Sequence, residues 1–286
     1  MFIPPMLASK IKDDFHFMPH TWAVEEKYDG IRLVAEVTQG VTTPWSRDGI
    51  IHLLPPQILF TLTTFPDCTL DGEIFVPGKR CYGTLTHANA SEMIYCIFDV
   101  MVMHGVNLSN GHNYDQRRQI LIDINRWHIS PSVQLAWSSN VETWEEVEDY
   151  RDRVWSRDGE GLILKRRQST YEVDRRSKNW LKIKKLESAV LTIIGFEHSR
   201  GTKVNRGPYA MVRLRGDDGV TTTVKTKNDA ECRKFEAEAE AIRQDGLPDG
   251  MQPPHPALGR KLAIEYQERT KPDNAYREPR WKEWVT

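Results

Sequence analysis

The strand-like segments of this chain are short, alternate apolar with polar residues, and end on charge. WAVEEKYDGIRLVAEV, GVTTPWSRDGI, TLDGEIFV, MIYCIFDVMV and EGLILKR each hold a β-branched or aromatic run bounded by turn residues. Such a pattern predicts several sheets of short strands. MIYCIFDVMV is nearly continuous in apolar residues and reads as buried. Helical spacing is scarcer. Residues Asp115–Trp127 repeat Ile120, Leu121, Ile124 and Trp127 on one side. Thr143–Arg157 combines a Thr143/Glu146 capping signature with Trp144, Val147, Tyr150 and Val154. A third helix, Asp229–Arg243, is rich in Ala and Glu.

At 286 residues the chain has room for one large domain or two modest ones. Its texture changes after WLKIKKLES. Beyond that point AVLTIIGFE, YAMVRLR, VTTTVKT and KLAIEYQER read as strands around a single helix, compatible with a small barrel of the OB type. The expected fold class is therefore α+β, with the boundary near Leu186–Ala189. A leading domain of antiparallel sheets with helices would span 1–186, and an OB-fold β-barrel 187–286.

No apolar run is long enough for a membrane helix, and the N-terminus lacks an export signal. Cys68, Cys81, Cys96 and Cys232 are scattered and form no C-x-x-C pair. They read as free buried thiols of a reducing cytoplasm, not as zinc ligands or a disulfide framework. The net charge is −1, yet Leu164 to Lys185 holds nine bases against two acids, a local +7. A basic stripe on a neutral protein suits a phosphate-rich partner, with a solvated surface as the alternative.

Several polar residues stand at the ends of apolar β segments, where a rigid scaffold aims side chains into a cleft. They are Lys27, Asp29 and Arg32; Arg47; Asp71 and Glu73; Asp99; Glu160 and Lys165; and Lys182 with Lys184. Lys182 and Lys184 are two apart on a strand and face one way, with Leu181 and Ile183 facing the other. Adjacent lysines repel unless an anion lies between them, and a phosphate is such an anion. Neighbouring cations or burial favour a neutral, nucleophilic amine, which makes Lys27 a candidate nucleophile. Glu73 and Glu160 carry hard oxygen ligands for Mg²⁺. Positioning and charge neutralisation are most of what nucleotidyl transfer requires. Taken singly, the Asp29-Gly30 segment is equally a charged hairpin rim, and Phe98 a core residue.

Taken together and in order, EKYDGIR, SRDG, LDGE, FDV, EGLILK and WLKIK resemble motifs I, Ia, III, IIIa, IV and V of the ATP-dependent DNA ligases, in the covalent nucleotidyltransferase superfamily. The resemblance covers essentially the whole chain. A lone K-x-D-G-x-R is a weak match, whereas six segments in register are specific. It implies ATP as AMP donor, with Mg²⁺ or Mn²⁺, and nicked double-stranded DNA as partner. Lys27 would carry AMP as a lysyl phosphoramidate before passing it to a 5′-phosphate, and the 3′-hydroxyl would then be joined. Glu25 would line the adenine pocket and Phe98 would stack on the base. Arg32 and Glu73 would contact the ribose, while Arg32 and Arg47 would face the 5′-phosphate of the nick. Glu160, with Glu73, would serve the metal, and Lys182 and Lys184 the α-phosphate. Asp29 would support motif I, structurally or catalytically.

One departure concerns motif VI, usually an R-x-D-K pattern near the C-terminus. Here the tail reads YREPRWKEWVT, leaving Arg277, Arg280 and Lys282 as cations for the departing pyrophosphate. Only 26 residues precede Lys27, which suggests a compact monomer that clamps the duplex between two domains, without a large preceding DNA-binding domain. HSRGTKVNRG, residues 198–207, is a basic loop that suits DNA backbone, with a plain surface loop as the alternative. Trp22 and Trp45 read as packing residues, and His87, His104 and His112 receive no role. The rival readings are an RNA ligase or mRNA-capping guanylyltransferase, and a nucleic-acid-binding module without catalysis.

Overall fold

Strand pairing sorts the short β segments into three sheets. They are seen in a computed structural model that describes residues 2–12, 14–78, 87–126, 130–197, 208–244, 254–267, 269–270 and 273–285. The chain divides into two compact units, Met1–Lys184 and Lys185–Thr286.

In the leading unit one sheet runs in the order β1 (Leu7–Lys10), β11 (Arg176–Lys184), β10 (Gly161–Arg166), β2 (Trp22–Lys27) and β9 (Ser138–Val141). The other runs β4 (Val41–Ser46), β3 (Ile31–Thr38), β5 (Cys68–Phe75), β6 (Ile94–Met103) and β7 (Val106–Asn107), with β8 (Val133–Leu135) beside β6. Helix α3 (Trp144–Ser156) covers the first sheet, its Val147 and Val154 packing on Val24, Leu162, Leu164 and Leu181. Helices α1 (Pro56–Leu62) and α2 (Tyr114–Asn125) cover the second, where Leu62 and Leu121 join Leu33, Leu70 and Ile97. Full burial of each such side chain stabilises the fold by roughly 1.5–3 kcal/mol. The remaining faces share a cluster of Met6, Val34, Met101, Tyr171 and Trp180.

Local signals set the helix starts. Asn113 caps α2 and shares a closed capping box with Gln116. Thr143 Oγ1 caps α3 by accepting from Glu146 N–H at 3.2 Å. The Glu146 carboxylate, however, accepts from Glu142 N–H at 2.8 Å, one residue before the expected partner.

Two pairings depart from the antiparallel expectation: β1 with β11, and β6 with β8, are parallel. Each involves a strand of three or four residues whose partner lies far along the chain, so no local alternation announces it.

The second unit holds one five-stranded sheet in the order β14 (Thr221–Lys225), β13 (Met211–Arg215), β12 (Glu187–Glu197), β15 (Lys261–Tyr266) and β16 (Arg280–Trp284). Helix α4 (Asp229–Gln244) follows β14. The basic tail is thus partly an edge strand. A register shift against β15 lets Trp281 and Trp284, three residues apart, both pack on the core, and this break in alternation hid the strand.

Candidate active site

Register across β2, β10 and β11 assembles the site in rows. Gly161 is opposite Lys27 on one side and Lys184 on the other. Ile163 is opposite Glu25 and Lys182, and Lys165 is opposite Ala23 and Trp180. With a period of two, these rows share one face of the sheet. The intervening rows, Glu26–Leu162–Ile183 and Val24–Leu164–Leu181, point toward α3. The second sheet brings Arg32 and Glu73, paired in register, and Phe98. A cavity of about 280 Å³ lies between, lined by Glu25, Lys27, Arg32, Arg47, Glu73, Phe98, Ile163, Lys165, Trp180 and Lys182 among others.

Phe98 owes its place to a β-bulge. Asp71 pairs with Asp99 and Gly72 with Ile97, so Phe98 is the extra residue. Bulges re-aim side chains next to sites in this way. The Arg32 guanidinium lies over the Phe98 ring, 4.6 Å from its centroid, and the Lys165 ammonium lies 4.8 Å from it.

At the mouth one carboxylate serves two ammonium groups. Glu160 Oε2 accepts from Lys27 Nζ, and Oε1 lies 2.7 Å from Lys184 Nζ. Gly161 permits this approach. Its φ is +151°, and a Cβ there would stand 1.9 Å from the Ile183 carbonyl oxygen. Burial pushes the Glu73 carboxyl up to about 7, although Lys27 and Arg32 pull it down.

Behind the mouth lie closed ion pairs. Lys165 Nζ is 2.9 Å from Glu25 Oε2 and donates to the Phe98 carbonyl at 2.7 Å. Tyr114 Oη donates to Glu25 Oε1 at 2.6 Å. Arg117 grips Asp99 through two N–H donors at 2.8 and 3.1 Å, both residues being at most 1% exposed. Arg32 grips Asp71 likewise, at 2.6 Å twice. Burial disfavours the Lys165 ammonium and lowers its pKa, with Glu25 and Asp99 opposing that shift. Burial also disfavours the Asp99 carboxylate, but Arg117 and Lys165 outweigh it and hold the group below the usual range. Arg32 is held above its ordinary value, since Asp71 outweighs the burial that would lower it.

Residues 5–184 match the profile of the ATP dependent DNA ligase domain. The chain belongs to the ATP-dependent DNA ligase family. A DNA ligase of Methanothrix thermoacetophila is 29% identical over 220 residues, covering 69% of this chain and 38% of that protein. The chain thus spans about two fifths of that relative's length. The SPbeta prophage-derived DNA ligase-like protein LigB of Bacillus subtilis is 25% identical over 206 residues, covering 68% of this chain and 72% of that one. Among solved structures, one from a study of DNA binding with a minimal scaffold by Lig E DNA ligases matches with a TM-score of 0.72. It shares 18% identity and covers 99% of this chain and 100% of that one. The mixed α+β fold of several sheets and few helices is therefore that of the ligases.

Within this ligase-family chain, Glu25, Lys27, Arg32, Arg47, Glu73, Phe98 and Lys182 line one cavity. Lys184 joins them through Glu160. Asp29 lines a neighbouring hollow of about 460 Å³ with Glu26, Lys27, Tyr28, Phe75 and Glu160, not the cavity that holds Phe98 and Lys182. Among the described residues no group of three or more His, Cys, Asp or Glu is placed to hold a metal. Arg280 pairs with Glu278, and Lys282 with Glu265, on the edge of the second unit. Loop 198–207 lies outside the described residues.

The basic window needs correction. Lys165 is buried, so one charge of the +7 is internal structure, whereas Arg167 pairs with Asp115 while partly exposed and the exposed Arg176 donates to the Ala8 carbonyl. Tyr114, Arg117, Tyr171 and Trp180 escaped the sequence reading. Trp180 carried a signal, being in phase with Lys182 on one strand. Arg117 and Tyr114 carried none, because their partners come from distant strands.

Proposed function

We propose that this chain is an ATP-dependent DNA ligase that seals nicks between a 5′-phosphate and a 3′-hydroxyl. The observation that carries the reading is the row Lys27–Gly161–Lys184 with Glu160 shared between its two lysines, Lys27 also lining the cavity of about 280 Å³. In self-adenylation, Lys27 Nζ would form a bond to the α-phosphorus, and the bond to the pyrophosphate oxygen would break. Lys182 and Lys184 would neutralise the phosphate oxygens. Glu25 and Phe98 would hold the base, and Arg32 and Glu73 the ribose. Arg47, on an exposed turn, would face the 5′-phosphate of the nick together with Arg32, and Asp29 would support the turn that follows Lys27.

Glu160 and Glu73 are hard oxygen donors and fit Mg²⁺ or Mn²⁺, with nucleotide phosphate and water completing the shell. Such an ion would neutralise phosphate charge when bound. Arg277, Arg280 and Lys282 would serve the leaving pyrophosphate in place of a regular motif VI.

Residues 1–186 would form the adenylation domain and 187–286 an OB-fold domain. Supporting the second assignment, the strand order β14-β13-β12-β15-β16 is a Greek-key order, with the helix between the third and fourth strands and the end strands β14 and β16 in contact. Cys68 and Cys96 are free and buried, and Cys232 is buried with its thiol against the Tyr209 carbonyl, in keeping with a reducing cytoplasm.

Labelled ATP and GTP, offered separately, test the first step: ATP should transfer label to the protein and GTP should not. Sealing of nicked DNA, RNA and hybrid duplexes tests the rest, with affinity falling steeply as salt rises. Label from GTP alone, or sealing confined to RNA, would point to the capping-enzyme or RNA-ligase readings instead.

A further inference from the structure

Residues 2–10 cross from one sheet of the leading unit to the other along the rim of the cavity. One end is held by β11. Leu7 N–H donates to the Arg175 carbonyl at 2.8 Å, and Arg176 Nη1 donates to the Ala8 carbonyl at 2.7 Å. The other end carries Phe2, whose ring centroid lies 5.7 Å from that of Trp45. Phe2 rests on the turn Ser46-Arg47-Asp48-Gly49. Gly49 N–H donates to the Ser46 carbonyl at 3.1 Å, and Ser46 Oγ accepts from the N–H groups of Asp48 and Ile50. Gly49 has a φ of +78°, and a Cβ there would meet the Phe2 ring at 3.0 Å. Between the two ends Met6 is fully buried. Its N–H donates to Tyr171 Oη at 2.9 Å, and its carbonyl accepts from Arg32 Nη2 at 3.1 Å. Tyr171 Oη donates in turn to Asp71, the carboxylate that grips Arg32.

We propose that this strap positions the two arginines that face the nick phosphate, Met6 fixing Arg32 and Phe2 acting as the positioning residue for Arg47. The proposal rests on the reading of Arg47 given above. The physical reason is freedom. Arg47 stands at the corner of an exposed turn, with 59% of its side chain accessible, and it pairs with the adjacent Asp48 carboxylate at 3.4 Å. A phosphate site needs its donors placed to within about an ångström, and displacement on that scale costs up to roughly a hundredfold in rate. Phe2 supplies a wall against which the turn is packed. Its ring packs on Trp45 and Gly49, neither of them assigned to ATP, so its loss falls on the DNA steps.

The test compares Phe2→Ala, Phe2→Leu, Gly49→Ala, Arg47→Ala and the double variant Phe2→Ala/Arg47→Ala. Two reactions are read, self-labelling by ATP and joining of a nick that already carries the adenylate, beside the melting temperature. Phe2→Ala should keep labelling within about twofold while lowering kcat/KM for the adenylated nick by roughly tenfold. Phe2→Leu should recover most of that loss, and Gly49→Ala should reproduce it. In the Arg47→Ala background, Phe2→Ala should cost almost nothing further, because both act through one group. A full additional tenfold loss in the double variant, or an equal loss of both reactions with a lowered melting temperature, overturns the proposal. Joining left intact by Arg47→Ala would instead remove the reading of Arg47 on which the proposal stands, an outcome visible before any Phe2 variant is compared.

Discussion

The back and the mouth of the cavity hold charges of the same kinds in different arrangements. At the back, Arg32 grips Asp71, Arg117 grips Asp99, and Lys165 lies between Glu25 and Asp99, each of these carboxylates being at most 2% exposed. At the mouth, Glu160 is divided between Lys27 and Lys184, and Glu73 stands near the middle of its titration at neutral pH. A dedicated buried pair holds shape, since removal of either member strands a charge. A shared carboxylate can release a partner to an incoming phosphate without leaving anything stranded. The same chemistry of lysine and glutamate therefore serves as framework in one place and as working surface a few residues away.

The sharpest way to break this contrast is Lys27→Ala. Labelling by ATP should vanish while the thermal transition stays where it was; Lys27→Arg should also fail, because guanidinium remains protonated. Label appearing on another lysine would end the assignment. Asp99→Asn should do the reverse at the back, lowering stability by about 3–5 kcal/mol in denaturant unfolding because Arg117 is left without its counter-charge. If Asp99→Asn spared stability and abolished labelling, the division between framework and working surface would be wrong. Glu160→Ala should slow sealing by roughly a hundredfold and raise the Mg²⁺ concentration needed, with little change in the unfolding midpoint. Sealing that proceeds in EDTA would remove the metal from the scheme.

The tail of the second unit offers a milder test. Its Arg280–Glu278 and Lys282–Glu265 pairs are exposed, and exposed pairs contribute little stability. Replacing Arg277, Arg280 and Lys282 together with Ala should slow labelling about tenfold and joining of an adenylated nick much less, since no pyrophosphate leaves in that step.

The smallest effect concerns pH. The Glu73 carboxyl sits at about 7 in the folded chain against an ordinary 4.5. Folding thus takes up a proton between those values. Its contribution to stability is complete below 4.5 and is lost as pH rises through 7. Glu73→Gln should flatten this dependence, so the melting-temperature advantage of the variant should widen between pH 5 and pH 8. The KM for ATP should rise several-fold in the wild type, but not in the variant, as pH falls from 8 to 6 and the ribose loses an ionised acceptor. Parallel profiles for the two proteins would show that Glu73 does not titrate in this window.

The mouth was largely legible before the fold was known, because its residues recur at strand ends and in phase: Lys182 with Lys184, Arg32 after Asp29-Gly30, Glu160 before Gly161. The back was not. Lys165 looked like one more base in a positive stretch, and only its placement opposite Trp180 and against Glu25 turns it into an interior group. Phe98 was ambiguous for a similar reason, since the bulge that re-aims it leaves no trace in an apolar run. Strand β1 and strand β16 were missed where pairing is distant or alternation is broken. Sequence periodicity reports which face a residue takes within one element, and says little about which element will stand opposite.

The central position of β10 carries a genetic consequence. Every second residue of this strand serves the cavity and the others serve the packing against α3, with β2 and β11 locked to it on both sides. Losing or gaining one residue there would turn Ile163 and Lys165 inward against α3 and present Leu162 and Leu164 to the nucleotide. Such a change scrambles the chemistry and the core at once, whereas a substitution alters one or the other. A library of variants should accordingly contain survivors with exchanged residues in β10 but none with a changed length, while the turns that bound the strands tolerate both.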